Sequence, residues 1–563
     1  MAKTVAIGIQ DFGDLIKKNL FYIDKTMFIK EWWESGDNTT LITRPRRFGK
    51  TLNMSMVEQF FSIDYADKGD IFEGLSIWED DKYRRLQGTY PVISLTFARV
   101  KETTSENAKE QIRNIIKRVY KEYIFLKDSD VLTEDDKDYF DSILSDNVSE
   151  VAVTISLNQL SDFLYRYYGK KVIILLDEYD TPMQEAYVNG YWQELVAFTR
   201  SLFNSTFKTN PYMERALMTG ITRVSKESIF SDLNHLKVVT TTSDEYSTSF
   251  GFTEEEVFNA VDMFGYTEQK DNVKSWYDGF VFGKHKDIYN PWSILNFLDT
   301  GEITAYWANT SANSLVGKLI REGDRGIKEK MELLLKGQSI KEQIDEQIVY
   351  NQLDNNETAV WSLLVASGYM KVLGVEIGGR YGTKRIYELS ITNLETLQMF
   401  EGMVSTWFEG VNSSYNGFIK ALLDNDIKSM NAYMNHVTLS CFSYFDTGNG
   451  VAGLGPERFY HGFVLGLLVE LQEEYIITSN RESGFGRYDV MIEPRDTEHK
   501  DAIILEFKVH DDEDEESLKE TVAAALKQIE DKQYMAQLEE RGISKERIRK
   551  YGIAFQGKKV LIG

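Results

Sequence analysis

The chain contains a single cysteine, few prolines and no apolar run long enough to span a membrane. Cys441 is the one thiol among 563 residues, which excludes an internal disulfide framework and a zinc site built from several cysteines. No stretch approaches the roughly 18 consecutive apolar residues of a membrane helix, and the first residues lack the apolar core of a signal peptide. These absences predict a cytoplasmic protein without a membrane partner.

Positive charge is also in short supply, because 64 lysines and arginines face 88 aspartates and glutamates and leave a net charge of −24. That balance excludes a surface that coats nucleic acid nonspecifically. It still allows a local basic groove, or a site that meets phosphates through metal ions. Any path for DNA must therefore be local.

Apolar strands alternate with amphipathic helices over residues 1–250, which is typical of a parallel α/β sheet. The predicted strands cover residues 38–43, 90–95, 171–176 and 215–219. Predicted helices between them include residues 50–61 and 105–123. We expect three domains, of which the first, 1–315, ends in a helical lid rich in aromatic residues. Residues 316–450 are predicted to form a mainly helical connector with a winged-helix-like segment at 355–395, and residues 451–563 a second α/β domain.

The segment TLITRPRRFGKTLNMSM predicts a phosphate-binding loop, because a short apolar strand runs into a loop and then into a helix at Gly49-Lys50-Thr51. Glycine lets backbone N–H groups approach phosphate oxygens, Lys50 would contact the β- and γ-phosphates, and Thr51 would offer its hydroxyl to Mg²⁺. The first glycine of the usual pattern is replaced by arginine. Four cations within seven positions suit a triphosphate: Arg44, Arg46, Arg47 and Lys50. The alternative is a basic turn that binds nothing.

Two further strand ends predict partners for this loop. The strand KVIILLDEYD ends in Asp177-Glu178, as a Walker B element does. Asp177 would hold Mg²⁺ and Glu178 would orient or deprotonate the attacking water, whereas the alternative is that both acids cap the next helix. The strand RALMTGITRVS carries Thr219 and Arg223 at its end, where we expect a polar sensor of the γ-phosphate and an electrostatic stabiliser. A surface or capping role is the alternative for both.

A second group of polar residues lies on apolar strands near the C-terminus. Because side chains alternate along a strand, Glu506 and Lys508 share one face of IILEFKV, and Asp489 stands among apolar residues in RYDVMI. If the two strands pair, these three side chains converge. Two carboxylates suit Mg²⁺, which lowers the pKa of a bound water, and Lys508 would orient that water or neutralise developing charge. The alternative is a Glu–Lys salt bridge with Asp489 in a turn.

Four residues on the flanking helices would support this second site. Glu457 and His461 are four positions apart and therefore share a helix face. Glu457 would complete the metal shell, and His461 would orient the shell or pack. Gln528 and Tyr534 follow the strand, where they would contact the active strand or a nucleic-acid backbone, with helix packing as the alternative.

The ordered motifs resemble those of the bacterial AAA-ATPase-like family, whose members commonly carry a C-terminal PD-(D/E)XK nuclease-superfamily domain. The loop and Walker B segments, WYDGF, YNPWS and YWANTSAN carry the first resemblance, and GRYDVMIEP, AIILEFKV and ALKQIEDKQY carry the second. The RPRRFGK form of the loop also fits the family. The resemblance implies an ATP and Mg²⁺ site at Gly49, Lys50, Thr51 and Asp177. It also implies a nuclease-type site at Asp489, Glu506 and Lys508. DNA is the substrate that the superfamily suggests.

We therefore predict an ATP-binding or ATP-hydrolysing P-loop module coupled to a Mg²⁺-dependent nuclease-like domain that acts on DNA through a local groove. The alternative is a nucleotide-controlled switch or scaffold, whose nuclease-like module is catalytically idle and binds a protein partner. A metabolic kinase fits less well, because no acceptor pocket is indicated and the C-terminal carboxylates would have no purpose. The sequence leaves open whether the chain forms a homo-oligomer.

Overall fold

Five short apolar segments form a parallel sheet in the N-terminal part of the chain. They are β1 (Thr39–Thr43), β2 (Val92–Thr96), β3 (Val172–Asp177), β4 (Met213–Gly220) and β5 (Leu236–Val239). Their order is β2-β3-β4-β1-β5, and every pairing is parallel. Every residue of β1 and β3 is buried, as expected of inner strands covered on both faces. The sequence predicts the first four strands but not the short β5.

Helices connect these strands and cover the sheet. They are α1 (Phe12–Lys17), α2 (Met27–Ser35), α3 (Lys50–Phe61), α4 (Asp81–Leu86), α5 (Ser105–Glu122), α6 (Glu134–Leu144), α7 (Glu150–Tyr168), α8 (Thr181–Val188) and α9 (Trp192–Phe203). The helix α3 begins at Lys50, as the sequence predicts. The ring of Phe72 contacts those of Phe12 and Phe60 in a core that also contains Ile42 of the sheet.

The segment predicted as a helical lid contains three helices and a small antiparallel sheet. These elements are β6 (Phe252–Thr253), α10 (Glu254–Met263), α11 (Lys270–Tyr277), β7 (Phe280–Phe282), β8 (His285–Tyr289) and α12 (Pro291–Thr300). The strand order is β6-β8-β7. The helices agree with the prediction, but the β7–β8 hairpin is missed because its aromatic residues suit a helix face as well as a strand.

The middle of the chain adds a second antiparallel sheet. Its elements are α13 (Ser314–Glu322), α14 (Arg325–Leu335), β9 (Ile340–Glu342), α15 (Glu357–Ala366), β10 (Met370–Gly378), β11 (Lys384–Ile391) and α16 (Leu394–Thr406). The three strands pair in the order β10-β11-β9. The succession of α15, β10 and β11 agrees with the helix and two strands predicted over residues 355–395.

A mixed five-stranded sheet forms the C-terminal part. The elements are α17 (Asn412–Leu423), α18 (Ile427–Phe445), α19 (Gly455–Leu471), β12 (Tyr475–Ser483), β13 (Gly486–Pro494), β14 (Ala502–Val509), α20 (Leu518–Asp531), α21 (Ala536–Glu540), β15 (Ile548–Gln556) and β16 (Lys559–Ile562). Strands β14 and β15 pair in parallel, and the other neighbours are antiparallel. The sequence misses β12 and β16. The α/β class predicted for both ends of the chain is confirmed.

These elements separate into two units, Met1–Ala312 with Ser339–Thr396, and Asn313–Gln338 with Leu397–Gly563. The three domain boundaries drawn from the sequence stay a prediction. The computed structural model describes residues 3–223, 230, 233, 235–308, 314–323, 325–345, 353, 357–378, 383–407, 412–445, 455–483, 486–510 and 515–563. None of the helices in these ranges has the length and apolar content needed to cross a membrane.

Candidate functional site

The loop between β1 and α3 has the backbone shape that brings N–H groups toward an anion. Gly49 is the N-cap of α3 and adopts a left-handed conformation, with φ of 78°. Glycine takes this conformation without strain, and it offers no side chain to cap the helix. The first N–H groups of a helix lack partners within the helix and carry partial positive charge. The start of α3 is therefore suited to phosphate oxygens.

The Lys50 ammonium is buried inside this loop. Its Nζ donates to the main-chain carbonyls of Arg44 and Pro45, at 2.9 and 2.8 Å. Burial lowers the pKa of Lys50, and the nearby charges of Glu178 and Asp177 oppose that shift. The loop's own carbonyls thus hold the cation at the point where the sequence predicts contact with phosphates.

Asp177, at the end of β3, joins two of the other predicted residues. Its Oδ2 accepts a hydrogen bond from Thr51 Oγ1 at 2.7 Å, and its Oδ1 accepts one from Thr219 Oγ1. Burial raises the pKa of Asp177, and the two hydroxyl groups oppose the shift. A carboxylate and a hydroxyl beside each other are hard oxygen ligands of the kind that Mg²⁺ prefers. The residues present therefore fit a magnesium ion next to a triphosphate.

The residues that follow Asp177 fix the neighbouring strand end. Glu178 has a positive φ of 51°, uncommon for a residue with a Cβ, and its Oε2 accepts from Thr181 Oγ1 at 3.1 Å. Asp180, which sequence reasoning missed, is buried, and its Oδ2 accepts from the N–H groups of Ile221 and Thr222. Asp180 therefore ties the end of β3 to the end of β4. The available signal was a third acid in DEYD.

Arg44 does not belong with the cations that could face a triphosphate. Its side chain is completely buried, and its guanidinium donates to the carbonyls of Thr240 and Glu245 at 2.7 and 3.1 Å. It also lies 4.6 Å from the ring centroid of Phe282. Arg44 therefore anchors the end of β1 to the chain that follows β5. Its inclusion among the cations that face a triphosphate was wrong. This anchoring role also explains why arginine stands where the usual loop pattern has its first glycine.

The other arginines of the prediction are distributed around the loop. Arg46 donates to Gln184 Oε1 at 3.2 Å, on α8, and the guanidinium of Arg47 lies 4.2 Å from the ring centroid of Trp292, on α12. Arg223 is half-buried and lines a small cavity with Thr43. The strand end thus brings Thr219 to Asp177, whereas Arg223 lies beside the end of β1.

The C-terminal carboxylates meet across the antiparallel pair β13 and β14. Val490 pairs with Leu505, which places Asp489 and Glu506 next to each other. Asp489 Oδ2 accepts the main-chain N–H of Phe507 at 2.8 Å. Glu506 is buried, its Oε1 accepts from Gln528 Nε2, and its Oε2 has no hydrogen-bond partner within the described part of the chain.

The electrostatics of Glu506 suit a bound cation. Burial, followed by the nearby charge of Asp489, raises the pKa of Glu506 to about 8, while Lys508 opposes this shift. A buried carboxylate oxygen without a donor, beside a second carboxylate, is costly unless a cation compensates both. The donor set consists of hard oxygens, so these residues fit Mg²⁺.

The structure describes the side chains of some, but not all, of the residues predicted to support this second site. Lys508 is half-buried, two residues beyond Glu506 on β14. Gln528 contacts Glu506 directly and its Nε2 lies 3.2 Å from the hydroxyl of Tyr534, so Gln528 does reach the strand. Glu457 and His461 fall within α19, but their side chains lie outside the described residues, and their roles stay predictions.

Two regions of the chain are similar to known protein families. Residues 6–230 match the family model described as Predicted AAA-ATPase, and residues 455–563 match that of the PD-(D/E)XK nuclease superfamily. A protein of Azotobacter chroococcum mcd 1, described as an uncharacterized protein in the vnfD 5' region, is 23% identical over 575 residues, covering 98% of this chain and 96% of that protein. These matches agree with the architecture predicted from the motifs, an AAA-ATPase-like region followed by a C-terminal region similar to the PD-(D/E)XK nuclease superfamily.

Proposed function

We propose that the protein binds and hydrolyses ATP at its phosphate loop and cleaves DNA at a Mg²⁺-dependent site in its C-terminal domain. The observation that carries the proposal is the pair of adjacent carboxylates, Asp489 on β13 and Glu506 on β14. Lys508 lies two residues beyond Glu506 on β14. Packing alone gives no reason to bury an acid with an unpartnered oxygen beside another acid. A divalent cation would supply that partner.

At the C-terminal site, Asp489 and Glu506 would hold the ion. Mg²⁺, when bound there, supplies Lewis acidity and lowers the pKa of a bound water. The N–H of Phe507 and the amide of Gln528 orient the two carboxylates. Lys508 would orient the attacking water or neutralise the charge that develops on the phosphate.

At the phosphate loop, Lys50 would bind the phosphates, and Thr51 and Asp177 would hold Mg²⁺. Glu178 would orient or deprotonate the attacking water, and Thr219 would sense the γ-phosphate through its bond to Asp177. We propose further that the nucleotide state licenses cleavage, since one chain carries both sites. The net charge of −24 requires a local groove for DNA, and the single cysteine favours a cytoplasmic location.

The test is cleavage of a supercoiled plasmid by the full chain with Mg²⁺ or Mn²⁺, with and without ATP. We expect Lys508→Ala to lower the cleavage rate at least about 100-fold, and Lys50→Ala to abolish the effect of ATP on that rate. Lys527→Ala, which removes an exposed lysine of α20, is the matched control and should cleave normally. Cleavage that survives Lys508→Ala would remove the catalytic assignment. A wild-type chain that binds ATP but never cleaves would favour the nucleotide-controlled switch.

A further inference from the structure

The main-chain carbonyl of Arg46, inside the phosphate loop, accepts two hydrogen bonds from distant side chains. Asn290 Nδ2 donates at 3.3 Å and Trp307 Nε1 at 3.1 Å. The two preceding carbonyls accept from Lys50 Nζ. Three consecutive carbonyls of the loop are therefore fixed, two by the loop's own lysine and the third by residues beyond the matched region 6–230.

Both of these donors are tied to one carboxylate, that of Glu395. Its Oε1 accepts the main-chain N–H of Trp307 at 2.6 Å, and its Oε2 accepts the hydroxyl of Ser293 at 2.8 Å. Ser293 lies in the first turn of α12, whose N-cap is Asn290. Two routes thus lead from Glu395 to the same carbonyl of Arg46, one through Trp307 and one through the start of α12.

Glu395 occupies a place that is unfavourable for a carboxylate. The side chain is completely buried, and no ion pair connects it to a described lysine or arginine. Burial raises the pKa of Glu395 to about 7, and the hydrogen bonds from Ser293 and from the main chain of Trp307 oppose the shift. An apolar residue of similar size would avoid this cost if packing were the only requirement. The hydrogen bonds that Glu395 accepts orient Trp307 and α12, and they give a reason for a carboxylate at this buried position.

We propose that Glu395 is a positioning residue for the nucleotide site: through Trp307 and α12 it holds the carbonyl of Arg46, and so keeps the phosphate loop in the shape that accepts a triphosphate. This inference rests on the proposed binding of ATP at the loop. The stacking of Arg47 on Trp292 is a further contact between α12 and the same loop. Fixing the loop before the ligand arrives reduces the ordering cost of binding.

The experiment measures MgATP binding by equilibrium dialysis, and KM and kcat for ATP hydrolysis, on the full chain. Asn290→Ser keeps an oxygen that can cap α12. It removes the side-chain amide N–H that donates to the main-chain carbonyl of Arg46. Trp307→Phe keeps an aromatic ring but removes the indole N–H. We expect each change to raise KM and the dissociation constant about 5- to 10-fold, the effect of one lost buried hydrogen bond, with kcat changed less than about twofold.

Variants of Glu395 separate positioning from packing. Glu395→Ala should weaken ATP binding at least as much as the changes above, because it breaks both routes. Combining it with Trp307→Phe should add little, because Glu395→Ala has already loosened the route through Trp307. Glu395→Gln should restore most of the affinity, since its amide oxygen can accept from Trp307 while its amide nitrogen donates to the hydroxyl of Ser293. Asn296→Ser, on the same helix but bonded to the carbonyl of Trp292, is the matched control.

The outcomes distinguish this inference from the proposed function. If the wild-type chain binds no MgATP, both are wrong. If the wild type binds MgATP and Lys50→Ala does not, while Asn290→Ser and Trp307→Phe bind as tightly as the wild type, only the positioning role is refuted. Should Glu395→Ala fail to fold, those two changes still decide the question, because neither removes the buried carboxylate.

Discussion

The substitution Glu506→Gln should stabilise the metal-free protein, although it removes a residue of the proposed active site. Burial and the neighbouring Asp489 raise the pKa of Glu506 from 4.5 to about 8. The folded state therefore holds a proton that the unfolded state releases between these two pH values, and stability falls as the pH rises through that window. At pH 7 the difference of 2.5 pH units from 4.5 corresponds to about 3 kcal/mol.

Glutamine carries no charge and keeps an oxygen that can accept from Gln528, so it should recover up to about 3 kcal/mol at pH 7. That gain corresponds to roughly 6–12 °C in Tm for a domain of 150–250 residues. The assay is urea and thermal unfolding of the full chain in EDTA, at pH 4.5 and at pH 7. At pH 4.5 the difference between variant and wild type should largely disappear.

Added Mg²⁺ should reverse the order of stability of Glu506→Gln and the wild type. The wild type should gain stability with Mg²⁺, because the ion binds the folded carboxylate pair, whereas Glu506→Gln should lose most of that gain. Glu493→Gln is the control, since Glu493 lies on β13 and pairs with Arg541 instead. It should destabilise the protein and leave the response to Mg²⁺ intact. The reasoning is refuted if Glu506→Gln is less stable than the wild type at pH 7, or if its effect is the same at pH 4.5.

Three further predictions concern the N-terminal site. Arg44→Met should lower the free energy of unfolding by about 3–5 kcal/mol, because it leaves several buried carbonyls without donors; a loss below about 1 kcal/mol in urea unfolding would contradict the anchoring role. Thr219→Val should lower kcat for ATP hydrolysis about tenfold, the worth of one buried hydrogen bond to Asp177, and an unchanged kcat would remove Thr219 as a sensor. Glu178→Gln should keep ATP binding in dialysis but lower the rate of phosphate release at least about 100-fold, so an equal loss of binding would speak against a role in water activation.

Local spacing explains the parts of the sites that could be predicted. A strand, a loop and a helix that follow one another define the phosphate loop within a dozen residues. Asp177 is 126 positions from Thr51, but the rule that parallel strands end at one edge of a sheet brings them together. In the same way, alternation along β13 and β14 places Asp489 beside Glu506 once the strands pair.

The remaining features depend on partners that no spacing rule connects. Arg44 looked like one more cation of the loop, yet its acceptors include a carbonyl 201 positions away. Trp307 is 261 positions from Arg46, and Ser293 is 102 positions from Glu395. The motifs YNPWS and YWANTS supported the family resemblance, but only the packed structure shows that Asn290 and Trp307 hold the loop. Short strands such as β5 and β16 are missed because four residues give too little periodicity.

The two sites share the same arrangement of charges, although they lie in different units. In each, burial raises the pKa of a carboxylate, Asp177 in one and Glu506 in the other, and a lysine, Lys50 or Lys508, contributes an opposing charge. Hydrogen bonds from hydroxyl, amide or main-chain groups hold the acids in place but do not neutralise them. Buried carboxylates with a raised pKa bind a divalent cation in place of a proton more readily as the pH rises. The site at Glu506 should therefore bind Mg²⁺ more tightly at pH 8 than at pH 6. Proton release on binding would link the ion to this acid rather than to the protein's overall negative charge.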